Sequence, residues 1–280
     1  MSNHVVERID LGKVIINKNF NGRWDFYQKE DTGNNFQRLT RDEFESVEVV
    51  GDVVYARKKN KRGEEVLGIY DFNGWVKLYP KKVIDCGETF LGQNSLDYSW
   101  DFYTKQGERI TDEEFSAVEV FGNLIRVART GILSFEVGIY NSKGEEVLPV
   151  KYRENMFIVA DEDKNPVCIA DRVYYNRWKF YNPDGTTLTE LEDVFIEQIE
   201  VVDVETENLT KYRYLKTTEK FGELGLYELC DGKLITIVSP YDGYEIYEDD
   251  IEYLKTGFRM KKDGKLYYYS FDSKRIIDIT

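Results

Sequence analysis

A four-residue pattern that ends in tyrosine recurs seven times along this chain of 280 residues. Each copy begins with an aromatic or aliphatic residue, followed by a short spacer and the tyrosine. The copies occupy residues 24–27, 67–70, 100–103, 137–140, 178–181, 224–227 and 266–269, and their tyrosines are 33 to 46 residues apart. A period of this size is typical of repeat proteins, in which each unit buries its apolar face against its neighbours. The pattern therefore predicts one β-repeat domain over residues 1–280.

The residues after each tyrosine predict a tight hairpin. Four copies place a glycine four residues after the tyrosine, as in Asp71-Phe72-Asn73-Gly74 and Asn182-Pro183-Asp184-Gly185. Glycine takes the positive φ that closes such a turn without a steric penalty. A short apolar strand follows each turn, and two further strands lead to the next tyrosine. Each unit is thus predicted to form about four short antiparallel strands, which is the size of a β-propeller blade.

The two ends of the chain suggest how the repeats close. The last unit is one strand short, whereas residues 5–9 form a spare strand before the first unit. Pairing these two segments would remove exposed sheet edges. We therefore predict an all-β fold, a closed seven-bladed β-propeller in which the N-terminal strand completes the last blade. An open twisted β-repeat array is the alternative. Helical spacing is missing except for a candidate helical turn at residues 189–193.

Odd and even copies of the pattern differ. Three of the four odd copies begin with a tryptophan (Trp24, Trp100 and Trp178), whereas the even copies place glycine before the last two residues, as in Leu67-Gly68-Ile69-Tyr70. The larger repeat is therefore a pair of units. We predict that the three tryptophans fill equivalent positions in the core, with ligand stacking as the alternative.

The units resemble WG repeats, also called KWG repeats, which are tandem bacterial modules. The best match is Val137-Gly138-Ile139-Tyr140 with the turn and strand that follow it, and Leu67-Gly68-Ile69-Tyr70-Asp71 is next. The Trp and Gly of the WG motif never occur in the same copy here. The resemblance covers the whole chain and implies an interaction scaffold, and it carries no catalytic residues over to this sequence.

The charge balance is strongly acidic. With 38 basic and 52 acidic residues, the formal net charge is −14. This charge disfavours nucleic-acid binding and suits a basic partner. The sequence has no apolar signal core and no long apolar run, and its three cysteines fit neither a disulfide framework nor a metal site. We therefore predict a cytoplasmic protein that does not bind membranes and whose thiols are reduced.

The residues that carry most enzyme chemistry are scarce. The only histidine is His4, which argues against histidine-based catalysis and multi-histidine metal sites. Carboxylates cluster at residues 161–163 and at Glu248, Asp249, Asp250 and Glu252, but clustering is expected with so many acids. A calcium loop beginning at Asp161 is disfavoured, because Pro166 stands where such a loop needs glycine. We predict no catalytic, cofactor-binding or metal-binding residues and no cofactor.

Two segments have alternative interpretations. The basic cluster Lys58, Lys59, Lys61 and Arg62, which ends at Gly63, is predicted to be a solvated hairpin tip, with contact to phosphate or an acidic partner as the alternative. Residues 241–248 are rich in tyrosine and acid. They are predicted to form a half-buried strand, and exposed tyrosines that bind a glycan or protein are the alternative.

These observations favour a protein that binds rather than catalyses. We predict a non-enzymatic scaffold that presents loops of a β-repeat ring to a protein partner. One alternative is a small-molecule or glycan binder, or a carboxylate-based glycosidase, that uses the central funnel. Another alternative is an acidic inhibitor or immunity-type protein.

Overall fold

A computed structural model describes most of the chain: residues 5–29, 36–131, 135–153, 155–174, 176–192, 195–205, 211–219, 224–230, 232–244 and 257–280. Over these residues the regular secondary structure consists of β-strands and one short 3-10 helix, at Pro240–Asp242. The strands form seven antiparallel sheets, which we number in chain order. The predicted all-β class is confirmed.

The first three sheets follow one another without crossovers. Sheet 1 contains β1 (Glu7–Asp10), β2 (Val14–Lys18), β3 (Trp24–Lys29) and β4 (Phe36–Arg38). Sheet 2 contains β5 (Ser46–Val50), β6 (Val53–Lys59), β7 (Glu65–Asp71) and β8 (Val76–Leu78). Sheet 3 contains β9 (Lys82–Asp85), β10 (Thr89–Gln93) and β11 (Trp100–Thr104).

The remaining sheets repeat this order. Sheet 4 contains β12 (Ala117–Phe121), β13 (Leu124–Thr130), β14 (Phe135–Asn141) and β15 (Glu146–Arg153). Sheet 5 contains β16 (Met156–Ala160), β17 (Pro166–Tyr174), β18 (Arg177–Tyr181) and β19 (Thr187–Glu192). Sheet 6 contains β20 (Ile196–Glu205), β21 (Lys211–Glu219), β22 (Leu224–Cys230) and β23 (Lys233–Val238). Sheet 7 contains β24 (Gly257–Lys262), β25 (Lys265–Ser270) and β26 (Arg275–Asp278). Consecutive sheets of three or four neighbouring strands are the organisation of β-propeller blades.

The chain divides into two compact units. The first consists of Met1–Glu119, Val127–Phe135 and Tyr140–Glu146, and the second of Val120–Arg126, Glu136–Ile139 and Val147–Thr280. The single domain over residues 1–280 and the closure of a ring stay predictions.

Every copy of the tyrosine pattern lies in an equivalent strand. It forms the third strand of sheets 1 to 6 and the middle strand of sheet 7. The predicted turn follows it: Gly74 and Gly144 have φ values of +81° and +78°. In the first of these turns, the backbone N–H of Gly74 donates to the carbonyl of Asp71 at 3.0 Å. The glycines are therefore present because these turns need a positive φ.

The N-terminal strand does not complete the last sheet, so that prediction was wrong. Strand β1 pairs with β2 in sheet 1, from Glu7 opposite Lys18 to Asp10 opposite Ile15. A tight turn joins the two strands, with Gly12 at φ +87° and its N–H donating to Asp10 Oδ1 at 2.9 Å. Closing such a short loop costs little chain entropy, so local pairing is favoured.

The predicted helical turn at residues 189–193 was also wrong over its described part. Residues 189–192 belong to β19, where Leu191 lies opposite Trp178 and Glu190 opposite Lys179. Leu188 and Leu191 pack against the apolar core of this region. Cross-strand packing therefore overrides the acidic composition that suggested a helix. Asp193 lies outside the described residues, as do residues 251–256 of the strand expected before residue 260.

The odd and even copies contribute different aromatic residues to the packing between sheets. In the first unit, the rings of Phe26 in sheet 1 and of Phe44, which lies between β4 and β5, contact Tyr70 of sheet 2, with centroid distances of 4.9 and 5.6 Å. Phe102 and Phe115 contact Tyr140 in the same way, at 5.3 and 5.4 Å. In sheets 2 and 4, the tyrosine of the even copy thus covers two phenylalanines that precede it in the chain.

The tryptophans of the odd copies belong to this core, as predicted. Trp24, Trp100 and Trp178 are 6%, 9% and 4% exposed. Trp24 and Trp100 also form backbone bridges to Phe44 and Phe115, respectively. In the second unit, Trp178 and Phe180 lie in one buried cluster with Tyr227. These aromatic side chains therefore serve packing between sheets.

Candidate functional site

The odd and even copies of the tyrosine pattern also differ at its second residue. Residues two apart on a strand share a face, so this residue lies beside the final tyrosine. In sheet 3, Tyr103 donates its hydroxyl to Asp101 Oδ2 at 3.3 Å, and Arg109 Nη2 donates to Asp101 Oδ1 at 2.6 Å. Sheet 1 has the same arrangement of a buried acid and an arginine, in which Arg38 pairs with Asp25.

Glycine replaces the acid in the even sheets. A Cβ on Gly68 would lie 2.7 Å from Cε2 of Tyr70, and one on Gly225 would lie 2.9 Å from Cε2 of Tyr227. The tyrosine ring therefore lies across the glycine and fills the space that the acid occupies elsewhere. Sheet 4 also has a glycine here, Gly138, where a Cβ would lie 2.7 Å from Val150 Cγ2. Glycine therefore makes room for a neighbouring residue in sheets 2, 4 and 6, whereas sheets 1 and 3 carry an acid.

Sheet 5 departs from both solutions. Lys179 stands at the position of the acid, and the carboxylate comes from the neighbouring strand as Asp171, the cross-strand partner of Lys179. Asp171 is 4% exposed, and its side chain makes no hydrogen bond or ion pair with any residue that the structure describes. Burial raises the pKa of Asp171 to about 6, although the charge of Lys179 opposes the shift.

Asp171 lines a cavity of about 850 Å³ in the second unit. Strand β18 alternates, so Trp178 and Phe180 point into the core, whereas Arg177, Lys179 and Tyr181 line the cavity. Arg177 Nε donates to Glu190 Oε1 at 2.6 Å on its wall. The other residues that line the cavity are Lys151, Asn155, Arg172, Val173, Tyr174, Lys179 and Tyr181.

The basic cluster near residue 60 lies at the tip of the β6–β7 hairpin, as predicted. Asn60 Oδ1 accepts the N–H groups of Arg62 and Glu64 at 2.8 and 3.0 Å, and Gly63 has a φ of +80°. Lys58 forms an ion pair away from the tip, with its Nζ 2.7 Å from Asp42 Oδ2. Lys61 and Arg62 are exposed and make no ion pair with a described carboxylate.

This tip forms one side of a groove of about 500 Å³ in the first unit, which we call the hairpin groove. The other side is the β10–β11 loop, where Tyr98 is 54% exposed and has a φ of +64°. Lys81 Nζ lies 3.8 Å from the centroid of the Tyr98 ring, a cation–π contact. The lining residues are Asn60, Lys61, Arg62, Glu64, Val66, Tyr79, Pro80, Lys81, Ser95 and Tyr98.

The carboxylate at Asp161 has a role within a turn. Its Oδ1 accepts the N–H groups of Asp163 and Asn165 at 3.1 and 2.8 Å, and its Oδ2 lies 3.3 Å from Arg213. The hydrogen bond from Asn165 is the main cause that lowers the pKa of Asp161. Across the described residues, no group of three histidine, cysteine, aspartate or glutamate side chains could hold a metal ion.

Other sequence candidates fall partly outside the described residues. His4 and the acidic cluster of Glu248, Asp249, Asp250 and Glu252 lie entirely outside them. The half-buried strand predicted at 241–248 is wrong over residues 241–244, which form the end of a 3-10 helix and an irregular segment. There the exposed Tyr241 donates its hydroxyl to the Glu192 carbonyl at 2.8 Å.

The cysteines are thiols, as predicted. Cys86 and Cys168 are buried, Cys230 is exposed, and no disulfide joins any of the three. Burial raises the pKa of Cys86 to about 11 and that of Cys168 to about 12. Both buried thiols are therefore protonated at neutral pH and unreactive.

Sequence reasoning missed the Tyr98–Lys81 contact of the hairpin groove, and it missed two features that break a visible pattern. The first is Trp75, which is 74% exposed, unlike the other three tryptophans. Its exposure could have been predicted, because it follows the turn glycine and lies outside the tyrosine pattern. The pair of Asp171 and Lys179 was the second. Lys179 visibly replaces the acid found in the first and third copies of the tyrosine pattern. Its partner Asp171 could not be identified from the sequence, because the pairing depends on the register between two strands.

Comparison with known proteins yields a likeness of fold only. No protein-family model matches the chain, and no curated protein matches it. Among solved structures, it is similar to the beta-propeller domain of the Trilobed protease from Pyrococcus furiosus, which is described as having an open velcro topology. The sequence identity is 11%, the TM-score is 0.27, and the match covers 99% of this chain and 95% of that chain. Within the described residues, no helix has the length and apolar character needed to cross a membrane.

Proposed function

We propose that this chain is a non-enzymatic binding protein that docks an acidic segment of a partner protein in the hairpin groove. β-Propeller sheets commonly mediate protein binding. Their loops are held by a rigid scaffold, which suits them to recognition. The resemblance to WG repeats supports the same proposal, because it implies an interaction scaffold. The proposal places the protein in the cytoplasm, in keeping with its thiols.

The observation that carries the proposal is the exposed pairing of aromatic and cationic side chains in the groove. Tyrosine and arginine are enriched among the residues that dominate binding energy at protein interfaces. Tyr98 presents its ring to solvent, and Lys81 lies against that ring. Lys61 and Arg62 face the same groove without a described carboxylate partner. An acidic peptide would supply the missing carboxylates.

The acidity of the whole chain does not prevent this contact. The formal net charge is −14, but charges further away than the Debye length, about 8 Å at physiological salt, are largely screened. Among the residues that line the groove, Lys61, Arg62 and Lys81 are cationic and only Glu64 is acidic. The groove is therefore a locally positive site on an acidic protein.

The test compares partner capture by matched variants. Lys61→Glu combined with Arg62→Glu reverses the charge at the groove, whereas Lys233→Glu changes an exposed lysine just after the β22–β23 turn. We expect affinity purification from the source cell to recover a protein with the parent and with Lys233→Glu. With the double variant, the recovery of that protein should fall at least about tenfold, and a tenfold loss of affinity corresponds to about 1.4 kcal/mol.

Two outcomes would overturn the proposal. One is recovery of the same partners by the double variant at parent level. The other is loss of the partner with Lys233→Glu alone, which would indicate a site elsewhere. Salt-sensitive capture of a basic enzyme by both variants would instead support an acidic inhibitor, for which the net charge of −14 is the motivating observation.

A further inference from the structure

The cavity of sheet 5 is the place where the internal repeat of the chain is broken. Sheets 1 and 3 pair a buried acid with arginine at the second residue of the tyrosine pattern, and sheets 2 and 6 fill that space with a tyrosine ring. Sheet 5 does neither. Sheets 1, 2, 3 and 6 can therefore be compared with sheet 5 within one molecule, because their solutions satisfy packing without an unpaired acid.

The carboxylate of Asp171 lacks the donor that its counterparts have. Arg109 lies 2.6 Å from Asp101, whereas no described side chain lies within hydrogen-bonding distance of the Asp171 carboxylate. A largely buried carboxylate without a protein donor is costly. Sites that depart from local consistency in this way are often functional. A hydroxyl or amine of a ligand in the cavity would provide the missing donor.

The rest of the wall is predominantly cationic. Lys151 from β15, Arg172 from β17, and Arg177 and Lys179 from β18 line the cavity, against the carboxylates of Asp171 and Glu190. Glu190 is already paired with Arg177. Lys179 makes no ion pair with a described carboxylate, and its Nζ lies 5.4 Å from the centroid of the Tyr181 ring. The wall can therefore accept one further anionic group.

The size of the cavity limits the ligand to a small molecule. About 850 Å³ lies within the range of about 300–1,000 Å³ of typical ligand pockets. The tyrosines Tyr174 and Tyr181 offer apolar ring surface together with hydroxyl groups. Such a mixture of aromatic, cationic and acidic side chains suits a polar molecule with several hydroxyls and one anionic group.

We propose that the cavity of sheet 5 binds a sugar-sized polyhydroxylated anion. Its carboxylate or phosphate lies at Lys179, and one of its hydroxyls donates to Asp171. This site is separate from the hairpin groove, because the two lie in different units and share no residue.

Isothermal titration calorimetry with four probes tests the proposal. Glucose 6-phosphate and gluconate carry both chemical features, glucose carries only the hydroxyls, and inorganic phosphate carries only the anion. We expect saturable binding of at least one of the first two probes. Glucose and inorganic phosphate should each bind at least about tenfold more weakly than that probe, because each lacks one of the two contacts.

Three variants locate the site. Lys179→Gln and Asp171→Asn should each weaken binding of that probe by about tenfold or more. Lys164→Gln, at the opposite end of sheet 5, should bind within about twofold of the parent. A thermal unfolding curve for each variant checks that it is folded. Lys179 is only partly buried, so Lys179→Gln should fold as the parent does.

The proposal is overturned if neither anionic sugar binds, or if Lys179→Gln binds as the parent does. Equal affinity for inorganic phosphate and glucose 6-phosphate overturns the contact assigned to Asp171. The groove variant Lys61→Glu with Arg62→Glu should keep the binding of the sugar probe. Failure at one site is therefore distinguishable from failure at the other.

Discussion

At the scale of single residues, two buried acids show how environment sets the role of a carboxylate. Asp101 and Asp171 are both 4% exposed. Asp101 is bound by Arg109, whereas Asp171 has only the more distant charge of Lys179. The first is a structural ion pair. The second keeps a charge at a cost in stability, which is the pattern expected of a ligand-binding residue.

The pH dependence of folding should reveal this cost. Burial raises the pKa of Asp171 from 3.8 to about 6, so the folded state binds the proton more tightly than the unfolded state. The contribution of this residue to stability is therefore present below about pH 4 and is lost as the pH rises to 6. Asp171→Asn removes this loss. We expect its free energy of unfolding at pH 8 to exceed that of the parent by about 1–3 kcal/mol in urea denaturation.

The matched control is the acid of sheet 3. Asp101→Asn should lower the free energy of unfolding at pH 8 by about 1–3 kcal/mol, because Arg109 loses its charged acceptor. The two substitutions are chemically identical and should have opposite signs. A destabilising effect of Asp171→Asn at pH 8 would show that the carboxylate has a favourable partner and would contradict this assignment.

At the scale of elements, glycines are required for two different reasons. Gly68 has an ordinary φ, but a Cβ there would lie 2.7 Å from Tyr70 Cε2 and 3.1 Å from Tyr79 Cδ2. Gly63 has open space around it but a φ of +80°. We expect Gly68→Ala to cost about 1–3 kcal/mol through overpacking, and Gly63→Ala to cost about 1 kcal/mol through backbone strain.

A second pair of variants separates these causes. Asparagine tolerates positive φ better than alanine, so Gly63→Asn should be milder than Gly63→Ala. Gly68→Asn should be at least as harmful as Gly68→Ala, because its side chain is larger. Chemical denaturation measures all four. Rescue of the Gly68 variant by asparagine would show that crowding against Tyr70 is not the cause.

The four tryptophans provide a further test of the elements. Trp24→Ala, Trp100→Ala and Trp178→Ala each empty a core position between sheets and should cost about 3–5 kcal/mol. Trp75 is 74% exposed at a hairpin, so Trp75→Ala should change stability by no more than about 0.5 kcal/mol. Equal losses at Trp75 and Trp24 in thermal denaturation would contradict the division into core and surface tryptophans.

The features predicted correctly from the sequence are those set by local pattern. The tyrosine pattern and its turn glycine act within about ten residues, so the third strands and their hairpins were identified. The basic hairpin tip was found for the same reason. Strand β1 was assigned to the wrong sheet, because an alternating segment of four residues fits any free sheet edge. The cavity was missed because the pairing of Asp171 with Lys179 depends on register between strands.

At the scale of the whole molecule, the repeated residues form the core, and the residues that differ between repeats are left for binding. The repeated aromatic residues are used in packing between sheets. Specific contacts must therefore come from positions where the repeats differ. The hairpin groove and the cavity of sheet 5 are two such positions, one in each unit. Function in this chain is proposed to reside in departures from the repeat.

Site-specific photocrosslinking tests the proposed binding function most directly. A photoreactive phenylalanine analogue in place of Tyr98 should form a covalent product with a protein partner in the source cell. The same analogue at Phe20, which is 73% exposed on the corresponding loop of sheet 1, should form none. The product at residue 98 should disappear when Lys61→Glu and Arg62→Glu are added. No product at residue 98, or a product that persists in the charge-reversed variant, would contradict the account.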